Sequence, residues 1–236
     1  MSDSWIWKVR APKSPLARDA TTFARVSDVM LGEPIPATLP SRLVVAVDAF
    51  GFADAGTAAA LQPMVQALAA LMKDVRDDLL APSGLTAWAR AQRTLQPWEA
   101  WQTFKPWLER DNPRLQYSVA RNLARATAIS ESDREWAALV RSEARARMTW
   151  LLPPGTILCM PTTPFPAPLK GQPLPALEPV RARILELAAH GGLTGVPQVS
   201  VPGAKVDGLP VGLSIVGGHG SDAALVAVAR ALEAAR

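Results

Sequence analysis

Apolar and polar positions along this chain switch between a helix-like period and short strand-like runs, and proline or glycine marks most of the switches. In residues 16–32, Phe23, Val26 and Met30 recur on one helical face. Asp19 suits the N-cap and Gly32 the position past the last turn. Pro34, Pro36 and Pro40 predict an extended connector, and residues 43–47 a buried strand. Asp54 opens a helix that reaches about Lys73, with Pro63 as a kink or break. Residues 75–80 predict a short strand despite their charges. Residues 82–110 predict helix in pieces, interrupted at Pro97 and Pro106. Residues 113–126 and 130–152 follow as helices, with Glu131 and Asp133 in the first turn of the second, where the helix dipole favours anions.

Pro153, Pro154 and Gly155 then break the chain before a strand over residues 156–160. Residues 161–175 are proline-rich but lie between ordered elements, which implies a rigid surface loop. A helix over residues 177–189 tolerates Pro179 in its first turn and ends near Gly191 and Gly192. Gly195, Pro197, Pro202 and Gly203 bracket the run from Gln198 to Val201, predicting a short buried strand. Asp207-Gly208 is a tight-turn dipeptide before the apolar run 209–216, so the two runs pair as neighbours, through a connection longer than a minimal hairpin. Gly212 inside the second run marks close approach by a backbone or a ligand. Ser221 and Asp222 are candidate N-caps for a last helix whose Leu225, Val228, Ala229 and Leu232 share one face. Strands alternating with helices give an α/β layered core.

At 236 residues, 49% of them hydrophobic, the chain suits one or two domains with a sizeable core. No apolar run reaches the roughly 18 residues of a membrane helix. The start has no continuous apolar segment of the secretory kind, so a cytoplasmic protein is expected. The single cysteine, Cys159, excludes an internal disulfide and reads as a buried inert thiol. A net charge of +4 is modest, since 25 basic residues face 21 acidic ones. Between Glu109 and Arg147 the two signs are mixed as on a solvated helical face, whereas a nucleic-acid surface needs a one-signed patch. Trp98, Trp101, Trp107 and Trp136 are accordingly read as packing residues rather than base-stacking platforms.

Candidate chemistry is sparse. Two histidines and one cysteine form no metal cluster, and neither a phosphate loop nor a dinucleotide fingerprint occurs, so no cofactor is expected. Lys13-Ser14 offers a base and a hydroxyl without a glycine-rich loop. Ser130 and Ser132 read as helix caps, while Ser200 and Ser214 lie in runs read as buried. His190 precedes Gly191 and Gly192, and His219, flanked by Gly218 and Gly220, is assigned with Ser221 and Asp222 to a turn or the surface. Ser221, His219 and Asp222 stand too close in sequence to converge as a triad. No residue is assigned a catalytic role.

Three blocks nevertheless occur in a telling order: LARDATTFARVSDVMLG at 16–32, ILCMPTTPFPAP at 157–168, and residues 193–233, which open LTGVPQVSVPG. Together they resemble the C-terminal portion of the amidase signature family. The resemblance covers residues 16–236 and leaves 1–15 unmatched. It implies an α/β fold, a mixed β-sheet flanked by helices, here incomplete. Members of that family hydrolyse amide carbon–nitrogen bonds with a Ser–Ser–Lys set and a Gly/Ser-rich loop, because a serine hydroxyl needs a base and the oxyanion needs donors. Both belong upstream of residue 16, so the expectation is a C-terminal fragment inactive alone. The alternative is a non-catalytic subunit or binding module that completes or partners a separate N-terminal amidase half. By the same resemblance, Thr162, Thr163, Gly192, Gly195 and Pro197 are candidates for binding a small amide substrate in the complete fold. Unpaired strand edges imply self-association or a need for that partner.

Overall fold

The computed structural model describes residues 15–235. Trp5, Ile6, Trp7, Lys13 and Ser14 lie outside the described residues. The chain runs α1 (Ala20–Leu31), β1 (Arg42–Ala46), α2 (Val47–Phe52), α3 (Ala55–Ala70), β2 (Asp74–Asp78), α4 (Leu85–Asp111), α5 (Tyr117–Ala126) and α6 (Glu131–Leu151). It continues through β3 (Thr156–Pro161), α7 (Leu174–Thr194), β4 (Gln198–Val206), β5 (Leu209–Gly217) and α8 (Asp222–Ala234). The strands form one five-stranded sheet in the order β2-β1-β3-β5-β4. β2, β1 and β3 are parallel, whereas β5 runs antiparallel to β3 and β4 antiparallel to β5. The sheet is therefore mixed, with helices on both faces.

β3 sits at the centre and all its residues are buried, which explains its unbroken apolar run. Its alternate side chains feed two cores. Leu158 and Met160 join Val44 and Val216 under α4, α6 and α7, around the fully buried Trp88. Ile157 and Cys159 join Leu43, Leu213 and Ile215 under α3 and α8. On α8, Leu225, Val228, Ala229 and Leu232 are all buried, as their spacing requires. Asp19 caps α1 by accepting from the Thr22 N–H at 2.6 Å, and the Glu233 carboxylate of α8 accepts from the Ala20 N–H at 2.9 Å. Those contacts hold α1 against α8. Of the face anticipated on α1, Phe23 and Met30 are partly covered, but Val26 is exposed and the buried positions are Ala24 and Ser27.

Several breakers do not break. α4 is one helix through Pro97 and Pro106, which changes the expectation of separate pieces. Its buried positions end at Leu95, so its packed first half anchors it while the prolines fall in a half that is mostly exposed. α3 likewise runs through Pro63. α7 does not end at Gly191 and Gly192. A Cβ on Gly192 would come 2.3 Å from the Gln92 side chain of α4, so this glycine serves helix contact. The stop is Gly195, at φ 75°, whose N–H returns to the Gly191 carbonyl at 2.8 Å. β4 passes through Pro202-Gly203, where the register shifts at a bulge. The β4–β5 connection is a minimal two-residue turn, with Asp207 and Gly208 at φ 50° and 78°. The tryptophans divide: Trp136 packs on the first core beneath Arg90 at 4.3 Å, Trp98 lies 5.0 Å below Arg134, and Trp107 is exposed.

Two glycines test this geometry in opposite directions. A Cβ at Gly218 would lie 2.9 Å from the Leu152 carbonyl oxygen, whereas one at Gly51 in α2 would meet nothing. Gly218→Ala should cost about 1–3 kcal/mol through overpacking, and Gly51→Ala should be neutral or stabilise by up to about 1 kcal/mol. Urea midpoints of the two variants measure both effects.

Candidate functional site

The pleat of the β4–β5 hairpin sets polar side chains side by side. Ser200 stands opposite Ser214, and Ser214 opposite Met160 of β3. The chain leaving β3 keeps the ladder for one more step, the Thr162 N–H donating to the Gly212 carbonyl at 2.9 Å. Thr162 Oγ1 consequently lies 2.8 Å from Ser200 Oγ and 2.9 Å from Ser214 Oγ. Gly212 leaves room for this meeting: a Cβ there would be 3.1 Å from Ser200 Oγ and 3.3 Å from Thr162 Oγ1. The close approach anticipated at that glycine is made by these hydroxyls and the Val201 carbonyl oxygen.

The row continues inward. The Gln198 side-chain amide lies 2.6 Å from Ser214 Oγ and 2.9 Å from His190 Nε2. His190 Nδ1 is 2.8 Å from the Leu187 carbonyl oxygen, one turn back in α7. His190 and Ser214 are buried, Thr162 is partly buried, and Gln198 and Ser200 are exposed. Burial above all pushes the His190 pKa down, and its contacts with Leu187 and Gln198 only partly oppose this. His190, assigned no role from the sequence, is thus a buried helix residue, while His219 is exposed as anticipated. Ser200 is likewise not buried. It belongs to β4, the edge strand of the sheet among the described residues.

Gln198 and Ser200 also border a cleft of about 560 Å³ between β4, α1 and α8. Phe23, Met30 and Leu225 give it apolar walls, and Gly195, Pro197 and His219 its rim. The sequence-selected candidates therefore separate. Thr162 joins the hydroxyl row, and Gly195 and Pro197 line the cleft beside it. Thr163 instead turns its hydroxyl to the Phe165 carbonyl at 2.8 Å, and Gly192 packs on α4. Gln198, Ser214, Ser200 and His190 were missed. The polar pair at Gln198 and Ser200, two positions apart, signals one strand face, but the tertiary partners Thr162 and His190 carry no local signal.

Nothing in this row can generate a strong nucleophile. Among the described residues no lysine is hydrogen-bonded to a serine hydroxyl, and no group of three metal-ligating side chains occurs. Ser130 accepts from the Asp133 N–H at 3.1 Å, the capping role expected of it. Cys159 is wholly buried, and burial, then the charge of Asp77, pushes its thiol from 9.0 up to about 12.

Comparison with known proteins agrees with this architecture. The family model Amidase matches residues 57–226, and the chain belongs to that family. Amidase 1 of Arabidopsis thaliana is 27% identical over 251 residues, covering 92% of this chain and 58% of that protein. Amidase 1 of Oryza sativa subsp. japonica is 31% identical over 156 residues, covering 66% of this chain and 36% of that protein. A solved amidase crystal structure superposes with TM-score 0.75 at 26% identity, over 94% of this chain and 52% of that one. The chain thus spans at most little more than half the length of these relatives.

Two outcomes follow from the burial of these groups. Ser214→Ala leaves the Gln198 amide short of a partner and should cost about 1–3 kcal/mol, whereas Ser200→Ala at the exposed end should cost under about 0.5 kcal/mol, both read by urea denaturation. Cys159 carries about a thousandfold less thiolate than an ordinary thiol at the same pH below 9.0, given its rise to about 12. Disulfide-reagent labelling near pH 8 should therefore be slow in the native protein and rapid in urea. The sign of the linkage is fixed too: the folded state holds this thiol neutral, so its stability falls as pH rises from 9.0 toward about 12.

Proposed function

We propose that this chain is the substrate-side half of an amide hydrolase and is inactive by itself, acquiring activity when an N-terminal amidase half supplies the Ser–Ser–Lys set. The observation that carries the reading is the hydroxyl row of Thr162, Ser214 and Ser200 opening at the edge strand, with no lysine and no histidine in direct contact with a hydroxyl among the described residues. A hydroxyl network whose one imidazole is reached only through the Gln198 amide can bind and orient an amide but has no base to take a proton directly from a hydroxyl. The matched relatives, being nearly twice as long, support a missing half. So does α1, whose outer face leaves Val26 39% and Val29 83% exposed. An apolar helix face of that kind favours a covering partner or a second copy.

Hydrolysis of benzamide by the purified chain, followed as ammonia release, should be undetectable. Co-production with the N-terminal half of a related amidase should give a stable complex that releases ammonia. Changing the nucleophilic serine of that added half to alanine should abolish the activity. Turnover by the lone chain, lost on mutating one of its own serines, would defeat the proposal.

A further inference from the structure

We propose that Ser200 Oγ is a hydrogen-bond acceptor subsite for the N–H of a neutral carboxamide, held in that role by a one-way chain of hydrogen bonds that starts at His190. This deepens the amide-hydrolase reading and rests on it for the ligand class. The argument is a proton count. The Leu187 carbonyl can only accept, so His190 Nδ1, 2.8 Å away, carries a hydrogen. The ring is 1% exposed, and both its partners are neutral, so it stays uncharged and Nε2 offers a lone pair. The group facing that lone pair at 2.9 Å is the Gln198 amide. It must present its NH₂, although the assigned orientation directs the oxygen to the ring and the nitrogen to Ser214. A half-turn of the amide exchanges the two atoms and leaves the outline of the side chain unchanged.

The rest is then determined. The amide oxygen faces Ser214 Oγ at 2.6 Å, so Ser214 spends its only proton there. Thr162 must donate to Ser214 across 2.9 Å, and Ser200 must donate to Thr162 across 2.8 Å. Each hydroxyl has one proton, and all of them point toward His190. Ser200, exposed at the end, is left with lone pairs and no proton to offer. The opposite direction would require hydrogen on Nε2, setting the Nδ1 lone pair against the Leu187 carbonyl at 2.8 Å, or a charged ring with no carboxylate among its partners. A ligand at Ser200 must therefore donate. No carboxylate takes part in the row, so at Ser200 itself a neutral amide N–H completes the hydrogen bonding, while Asp222 lines the same cleft away from the row. The adjoining walls of Phe23, Met30 and Leu225 suit an aryl or alkyl group on that amide.

The test uses the full chain. In a His219→Gln background one imidazole remains, and long-range proton–nitrogen NMR of the isotope-labelled protein at neutral pH should show hydrogen on Nδ1 and none on Nε2. Hydrogen on Nε2, alone or with Nδ1, would overturn the proposal. Benzamide should perturb the backbone signals of Thr162 and Ser200 and bind about tenfold more tightly than N,N-dimethylbenzamide, the effect of one good hydrogen bond. Ser200→Ala should erase the preference and Ser200→Thr should keep it. No binding of benzamide or equal binding of the dimethyl compound would each defeat the idea. The two readings fail separately. Ammonia release by the assembled halves without this discrimination removes the subsite and spares the amidase. Discrimination without ammonia release supports the subsite and removes the amidase.

Discussion

The antiparallel pairing of β5 with β3 is the contact on which the rest of the molecule turns. β3 ends the parallel trio and β5 begins the hairpin, so this one ladder, from Ile157 opposite Gly217 to Pro161 opposite Leu213, joins two differently built parts. It also places both cores. Leu158 and Val216 face α4, α6 and α7, whereas Cys159 and Ile215 face α3 and α8. A slip of one residue would send each set to the wrong face, which is why a two-sided apolar strand tolerates only one register. The same register brings Thr162 beside Gly212 and Ser214, so the packing of the core and the geometry of the hydroxyl row are one constraint.

What the sequence disclosed followed the range of the forces involved. Local devices were legible: the Asp19 cap of α1, the Ser130 cap of α6 and the buried face of α8 act within a few residues. Punctuation misled wherever tertiary packing outweighed it. Pro97 lies in a helix anchored by Trp88 and Leu95, and Gly192 stays helical because α4 presses against it. The site was legible in part. Thr162 was marked by family resemblance, whereas the run from Gln198 to Val201 was read as buried and its exposed polar face was missed. That this face ends at a buried histidine in α7 depends on how a helix returns to the sheet, which no local pattern encodes.

Polar groups inside a sheet are costly unless every one is paired. Here the costs are met by pairing the buried Ser214 and His190 through Gln198, while Gln198 and the outermost hydroxyl, Ser200, reach solvent. A row satisfied from within has little freedom to reorganise, so under the proposal its outer atom would meet an amide already oriented, with less entropy lost on binding. Cys159, by contrast, is buried among aliphatic side chains with its thiol held neutral. Fixed dipoles, and not a reactive thiol, are what the described residues present at the edge of the sheet.

The two edges of the sheet bear on where a companion half would join. β2 carries Asp74, Arg76, Asp77 and Asp78, with Asp78 paired to Arg76 at 3.2 Å and to Arg147 at 2.6 Å. Adding a strand there would bury charges already engaged with one another, the usual way an edge is protected. β4 presents an uncharged stretch from Gln198 to Val201, and its single lysine, Lys205, lies beyond the bulge at Pro202. Strand addition is therefore cheapest over the first half of β4. That is the stretch that carries Gln198 and Ser200, so a partner pairing there would set its own groups next to the acceptor end of the hydroxyl row. Edge chemistry and site chemistry thus favour the same few residues, an economy expected if the two halves share one active centre.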